Sequence, residues 1–121
     1  MRREATRLTA DEFRRLALSL PQSTEGGHQG HTDFRVGGKI FATLGEDEAW
    51  GMVKLPPEMQ VELVETKPEV FEAFPGAWGR QGCTKVHLAA ARKSVVRPAL
   101  VAAWFARAPR RLASQYDEET L

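Results

Sequence analysis

Three histidines and one cysteine are the side chains of this sequence best suited to hold a metal or to act as a nucleophile, and two pairs emerge from them. His28 and His31 lie three apart in a glycine-rich stretch, while Cys83 and His87 lie four apart in an alternating one. Imidazole nitrogen and thiolate sulfur are zinc ligands, and an even spacing along a strand turns Cys83 and His87 to the same face. A mixed site would need both pairs to meet, and nothing in the spacing brings them together. Cys83 beside His87 or His28 is also the raw material of a thiolate–imidazole nucleophile. No nucleophile elbow, helix-start cysteine or orienting carboxylate accompanies it. The expectation is a buried, inert thiol, with no metal, no cofactor and no catalytic residue.

Anion recognition has more material. Trp78-Gly79-Arg80 sets an aromatic ring and a guanidinium in a glycine-flanked segment, where they can stack on a base or bind an anion. The other reading is that Trp78 plugs the segment onto the core, as large aromatics commonly do. Gly37-Gly38 is first a tight hairpin turn; its flanks Arg35 and Lys39 would make it a basic wing tip able to reach a phosphate backbone. Two further glycine-rich stretches, 26–30 and 79–82, lack the strand-loop-helix context and the Lys-Ser/Thr ending of a phosphate loop, and read as loops needing positive φ. Trp50 and Trp104 are candidates for the core.

Charge is segregated along the chain. The net charge of +1 arises from 17 basic and 16 acidic residues, yet residues 1–75 carry nine Lys or Arg against thirteen Asp or Glu. Residues 76–116 carry eight basic residues and no acidic one, and Asp117, Glu118 and Glu119 close the chain with three acids. Such asymmetry points to an anionic partner if the fold keeps the basic residues together, and to nothing if it mixes the halves on the surface. Arg107, Arg110 and Arg111 also suit a helix C-terminus, a structural role that needs no ligand.

These groups need a scaffold, and 121 residues suffice for one domain. A chain of 13.5 kDa buries about two-thirds of its unfolded surface, enough for a core without disulfide or metal staples. With 42% hydrophobic and 27% charged residues and a mean hydropathy of −0.39, the chain reads as neither disordered nor membrane-embedded. Met1-Arg2-Arg3-Glu4 leads into no apolar run, and the single cysteine has no internal partner, so a cytoplasmic setting is expected.

Thr9 and Glu12 form a capping box ahead of Phe13, Leu16, Ala17 and Leu20, so a first helix should run until Pro21. Residues 22–31 read as loop. Thr32–Val36, Lys39–Leu44 and Ala49–Leu55 read as a meander of three antiparallel strands. Pro57 opens a second helix that runs to about Glu65 on a narrow apolar face of Met59, Leu63 and Val61. A turn around Pro68–Phe74 and a loop from Phe74 to Gly82 precede a fourth strand, Cys83–Leu88. Ser94 is the expected cap of a long last helix through Arg107, with Pro98 in its first turn and a wide stripe of Val95, Val96, Ala99, Leu100, Ala103 and Trp104. A short basic turn, Ala108–Leu112, follows. The order of elements predicts an α+β fold, a two-layer sandwich whose antiparallel sheet carries its helices mainly on one face. One domain with a core of about 9–113 and an acidic tail at 117–121 is expected.

Four segments together resemble the MmcQ/YjbR family: 34–43 (Phe-Arg-Val-Gly-Gly-Lys-Ile-Phe-Ala-Thr), Lys54-Leu55-Pro56-Pro57, Trp78-Gly79-Arg80-Gln81-Gly82 and Ala108-Pro109-Arg110-Arg111-Leu112. The resemblance implies a two-layer α/β sandwich, an architecture shared with secretion-chaperone-like and frataxin-like folds, and a DNA-binding role through a double-wing arrangement of loops. Cys83 stands where that family commonly has Trp, so any ligand contact made by that aromatic would be missing here. The expected function is a small cytoplasmic binding module, not an enzyme, that binds DNA without sequence preference through a basic face from the C-terminal third. Its expected contacts are Arg35, Lys39, Trp78, Arg80, Lys85, Arg92, Lys93, Arg110 and Arg111. The alternatives are a protein-interaction module of the chaperone kind and, behind it, a small-molecule site between the Trp78 segment and the sheet.

Overall fold

Thr9 and Glu12 satisfy each other's backbone: the Glu12 amide donates to Thr9 Oγ1 at 3.1 Å and the Thr9 amide to Glu12 Oε1 at 3.0 Å. This capping box starts α1 (Ala10–Leu18), which buries Phe13, Leu16 and Ala17 on one face. The computed structural model describes residues 7–28 and 30–121; Met1-Arg2-Arg3-Glu4 and the His28 side chain lie outside the described residues. Strands β1 (Thr24–His28), β2 (His31–Val36), β3 (Lys39–Leu44) and β4 (Trp50–Lys54) follow as a meander. After α2 (Pro57–Thr66) come β5 (Phe71–Ala73), α3 (Gly76–Arg80) and β6 (Cys83–His87), then α4 (Lys93–Arg107) and α5 (Arg110–Ala113). The sheet order is β1-β2-β3-β4-β6-β5 with every pair antiparallel.

The α+β sandwich with an antiparallel sheet is what the sequence predicts, with four differences in its elements. The stretch 22–31 is not loop throughout, because Thr24–His28 pairs with β2 as an edge strand and makes the meander four-stranded. Its glycines have a packing reason: a Cβ on Gly26 would fall 2.9 Å from Asp33 Oδ1, where the Asp33–Arg35 ion pair lies beneath β1. Phe71–Ala73 is a strand rather than part of a turn, short enough to leave little period-2 signal. Gly76–Arg80 is a helical turn rather than loop. Finally, α4 begins one residue before Ser94 with Arg92 at the cap position, so Pro98 falls in the second turn. There it cannot donate to the preceding turn, and apolar packing must hold the helix instead.

Pairing fixes which face each side chain takes. Phe34, Ala42, Val53 and Val86 lie on one face of the sheet and are fully buried there. A bulge in the β2–β3 register leaves Phe41 without a counterpart, so Phe41 and Ala42 are buried in succession. Onto this face α4 lays Val96, Ala99, Leu100, Ala103 and Trp104, all in one core with Phe13 and Leu16 of α1. Within α2 the narrow apolar face is Met59, Leu63 and Val64; Val61 points to solvent. The buried residue of that helix is Gln60, whose amide donates to the Cys83 carbonyl and to Thr84 Oγ1.

Trp104 is the keystone of this layer: it is 0% exposed and its indole N–H donates to the Pro21 carbonyl at 2.9 Å. Phe105 and Tyr116 meet its ring edge-on at 5.0 and 5.8 Å. Trp104→Ala should cost about 3–5 kcal/mol of stability, as truncations of large core aromatics do. Trp104→Phe should cost less, because it loses mainly the bond to Pro21 and part of the packing. Urea denaturation of both variants checks this; an unchanged midpoint for Trp104→Ala would contradict the packing.

Candidate nucleic-acid interface

With α1, α2 and α4 on one face, the strand residues of opposite parity look outward. On β4 these are Trp50, Met52 and Lys54, and their cross-strand partners on β6 are His87, Lys85 and Cys83. Gly79 lets α3 sit against the rim of this face: a Cβ there would overlap the Phe74 carbonyl. The result is an apolar groove of about 440 Å³, floored by Ile40, Met52 and Cys83 and walled by Trp50, Phe74 and Trp78. Trp50 and Phe74 meet edge-on with centroids 5.8 Å apart, and Lys85 Nζ stands 5.1 Å and 5.5 Å from their rings. Lys54 joins the lining, which contains no carboxylate.

Of the two tryptophans in the groove, Trp50 departs from the sequence reading, and Trp78 takes the exposed one of the two readings left open for it. Trp50 is half-buried on the outward face rather than in the core, because the core slot beside it is taken by Phe13, whose ring packs 2.8 Å from a Cβ placed on Gly51. Trp78 is 65% exposed, so it does not plug its segment onto the core. The groove residues that sequence reasoning missed are Ile40, Thr43, Met52, Lys54 and Phe74. Alternation along β4 already groups Trp50, Met52 and Lys54, but the β4–β6 pairing that completes the groove spans some thirty residues of chain.

A second feature lies where the β2–β3 hairpin meets the C-terminal segment. Gly37 has φ +58°, and a Cβ on it would lie 2.6 Å from Pro109 Cγ, so only glycine lets the turn pack there. That contact brings Lys39, Arg107 and Arg110 around one cavity of about 510 Å³, with Arg111 on the other side of Pro109. Arg107 Nε donates to the Ile40 carbonyl at 3.3 Å, which joins this corner to the groove that Ile40 lines. Among the described residues none of these four cations has a carboxylate partner.

The remaining expected contacts are scattered or engaged. Arg35 forms a two-pronged bond to Asp33 at 2.9 and 3.1 Å, and that carboxylate holds its guanidinium even more firmly protonated than usual. Lys93 pairs with Glu12 at 3.9 Å, and Arg92 lines a different groove with Lys67 and Glu69. Both sit at the start of α4, about 20 Å along a helix of this length from Arg107. Arg97 donates to the Leu121 carbonyl at 2.7 Å, so the end of the chain folds back on mid-helix. Arg80 is exposed at the end of α3. The eight basic residues of the C-terminal third are thus dispersed, with only Arg107, Arg110 and Arg111 gathered at one corner.

Among the described residues the metal and nucleophile candidates do not meet. His31 bonds Glu46 at 3.2 Å and His87 bonds Glu72 at 2.8 Å, and among the described residues no three His, Cys, Asp or Glu side chains form a ligand group. Cys83 is buried and free, and its thiol pKa is raised by that burial, only partly offset by Lys54 and Arg107. No described helix is long and apolar enough to cross a membrane.

With this geometry the comparisons fall into place. The family model named YjbR matches residues 18–108, and the chain belongs to that family. The fold is similar to that of the Deinococcus radiodurans protein DR2400, a crystal structure carrying the domain DUF419. The TM-score is 0.70 at 19% identity, over 86% of this chain and 81% of that one. No curated protein matches.

The raised thiol pKa has a chemical consequence. A smaller thiolate fraction means slower attack, so iodoacetamide at about pH 8 should alkylate Cys83 measurably more slowly in the native protein than in the urea-unfolded chain. The native rate should keep rising with pH beyond 9.0, the ordinary value. Equal rates, timed by mass spectrometry, would show an accessible, unperturbed thiol.

Proposed function

We propose that this YjbR-family protein is a nucleic-acid-binding module, with DNA as its polyanion, that grips phosphates through the corner built from Lys39, Arg107, Arg110 and Arg111. The observation that carries the reading is the set of four cations without carboxylate partners among the described residues, gathered where Gly37 packs on Pro109. Point charges on exposed side chains position a phosphate backbone without reading bases, so the binding is indifferent to sequence. It is a binding role rather than a catalytic one: both described histidines are tied to carboxylates, and the thiol is kept protonated by burial. A lone, buried, unpaired cysteine supports a reducing, cytoplasmic setting.

Four phosphate contacts imply a slope of log K against log salt near −3.6, from roughly −0.9 per neutralised phosphate, and a Kd on the order of 10⁻⁴–10⁻⁶ M at physiological salt. Arg110→Glu combined with Arg111→Glu should weaken binding equally for all sequences and bring the slope to about −1.8 or shallower. Lys67→Glu, beside Glu69 and away from the corner, should change it little. Fluorescence anisotropy with arbitrary duplexes at several salt concentrations tests this. A salt-independent titration, or no binding at low salt, would overturn it in favour of the protein-interaction alternative. That alternative predicts a stoichiometric protein partner whose capture survives nuclease.

A further inference from the structure

The aromatic groove on the outward face of the sheet is not used by a phosphate grip. Its walls are three aromatic rings, one of them, Trp78, largely in solvent. Its one charged lining residue is Lys54, and Lys85 reaches its rim over the Trp50 and Phe74 rings. Glu72, the cross-strand neighbour of Lys85, is bonded to His87 instead. A cavity of about 440 Å³ lies within the range of about 300–1,000 Å³ typical of ligand sites. A purely apolar occupant would leave the Lys54 ammonium in the lining unanswered. The matching occupant has a flat apolar body and negative charge beside it. The groove also has a neighbour of the same sign preference: Ile40 lines it, and the Ile40 carbonyl is held by Arg107 of the basic corner.

Resting on the nucleic-acid reading above, we propose that this groove takes an unstacked base of a single strand, with Trp78 as the stacking surface, Lys54 and Lys85 on the flanking phosphates, and the adjoining backbone passing to the Arg107 corner. A base inside a duplex is stacked on both sides and cannot reach the groove, whereas every base has a π-face to offer an exposed aromatic. The protein therefore prefers single strands over duplexes, without strong preference among bases. In this arrangement the corner supplies the salt-dependent affinity and the groove supplies the selection between strand states. Trp78 can be replaced with little effect on folding, because most of its surface is already in water.

The test uses the full chain and three labelled probes of equal length: oligo(dT), the same backbone without bases, and a duplex. Oligo(dT) should bind about tenfold or more tighter than either of the others, the worth of one base stacked on an aromatic side chain. Trp78→Ala should reduce oligo(dT) to the level of the abasic strand and leave abasic and duplex binding where they were. Trp78→Phe should recover part of the loss. Equal affinity for all three probes, still sensitive to Arg110→Glu with Arg111→Glu, would overturn the groove assignment and leave the phosphate grip standing. Loss of all three probes in Trp78→Ala at unchanged melting temperature would equally overturn it, because stacking cannot act on an abasic strand. No binding of any probe at low salt would remove both readings.

Discussion

Burial of the Trp104 stripe of α4 against the sheet is the interaction on which the rest of the molecule depends. The helix carries Val96, Ala99, Leu100, Ala103 and Trp104 onto β3 and β4, and α1 adds Phe13 and Leu16 to the same core. One bond, from the Trp104 indole to the Pro21 carbonyl, ties the end of the first helical segment to the last long helix. Pro98 interrupts the hydrogen-bond ladder of α4, which the helix tolerates because its stability comes from this packed face rather than from the ladder.

The same packing has a consequence on the other side. A six-stranded sheet whose core helices share one face leaves the opposite face without a covering layer, and sequence must then decide what solvent meets there. Part of that face has its polar groups partnered in place: Asp33 with Arg35, and His87 with Glu72. The part between β3, β6 and α3 is instead aromatic and cationic: Trp50, Phe74 and Trp78 line it with Lys54, and Lys85 stands over the Trp50 and Phe74 rings. The hairpin turn at Gly37 closes on Pro109 and so sets Lys39 beside Arg107 and Arg110 at the end of that face. Core packing, hairpin closure and the charged corner are thus successive results of one arrangement of layers.

Local signals in the chain were strong wherever a few adjacent residues determine structure. The Thr9–Glu12 capping box, the Gly37-Gly38 turn, Pro57 at a helix start and the wide apolar stripe of α4 each predict an element found close to its expected place. Elements defined by distant partners were not legible. Strand β1 has two glycines and no alternation, and exists because β2 offers it an edge; β5 has three residues and exists because β6 does. The candidate site suffered in the same way. Trp78, Lys85 and Lys39 are picked out by residue type, but whether Trp50 faces core or solvent depends on Phe13 occupying the space at Gly51, a contact between segments far apart in sequence. A run of positive charge likewise says nothing of its layout. The helix that holds Arg92 and Lys93 at one end and Arg107 at the other separates them by its own length.

Mapping the surface directly is the sharpest test of this account. Backbone amide shifts of the labelled protein, followed by NMR while short single-stranded DNA is added at low salt, report which residues meet the polyanion. Shifts should concentrate on β3, β4, β6 and α3 around Ile40, Met52, Trp78 and Lys85, and at Lys39 and 107–111. Shifts confined to α1, α2 or the Arg92–Lys93 end of α4, or none at all, would contradict it.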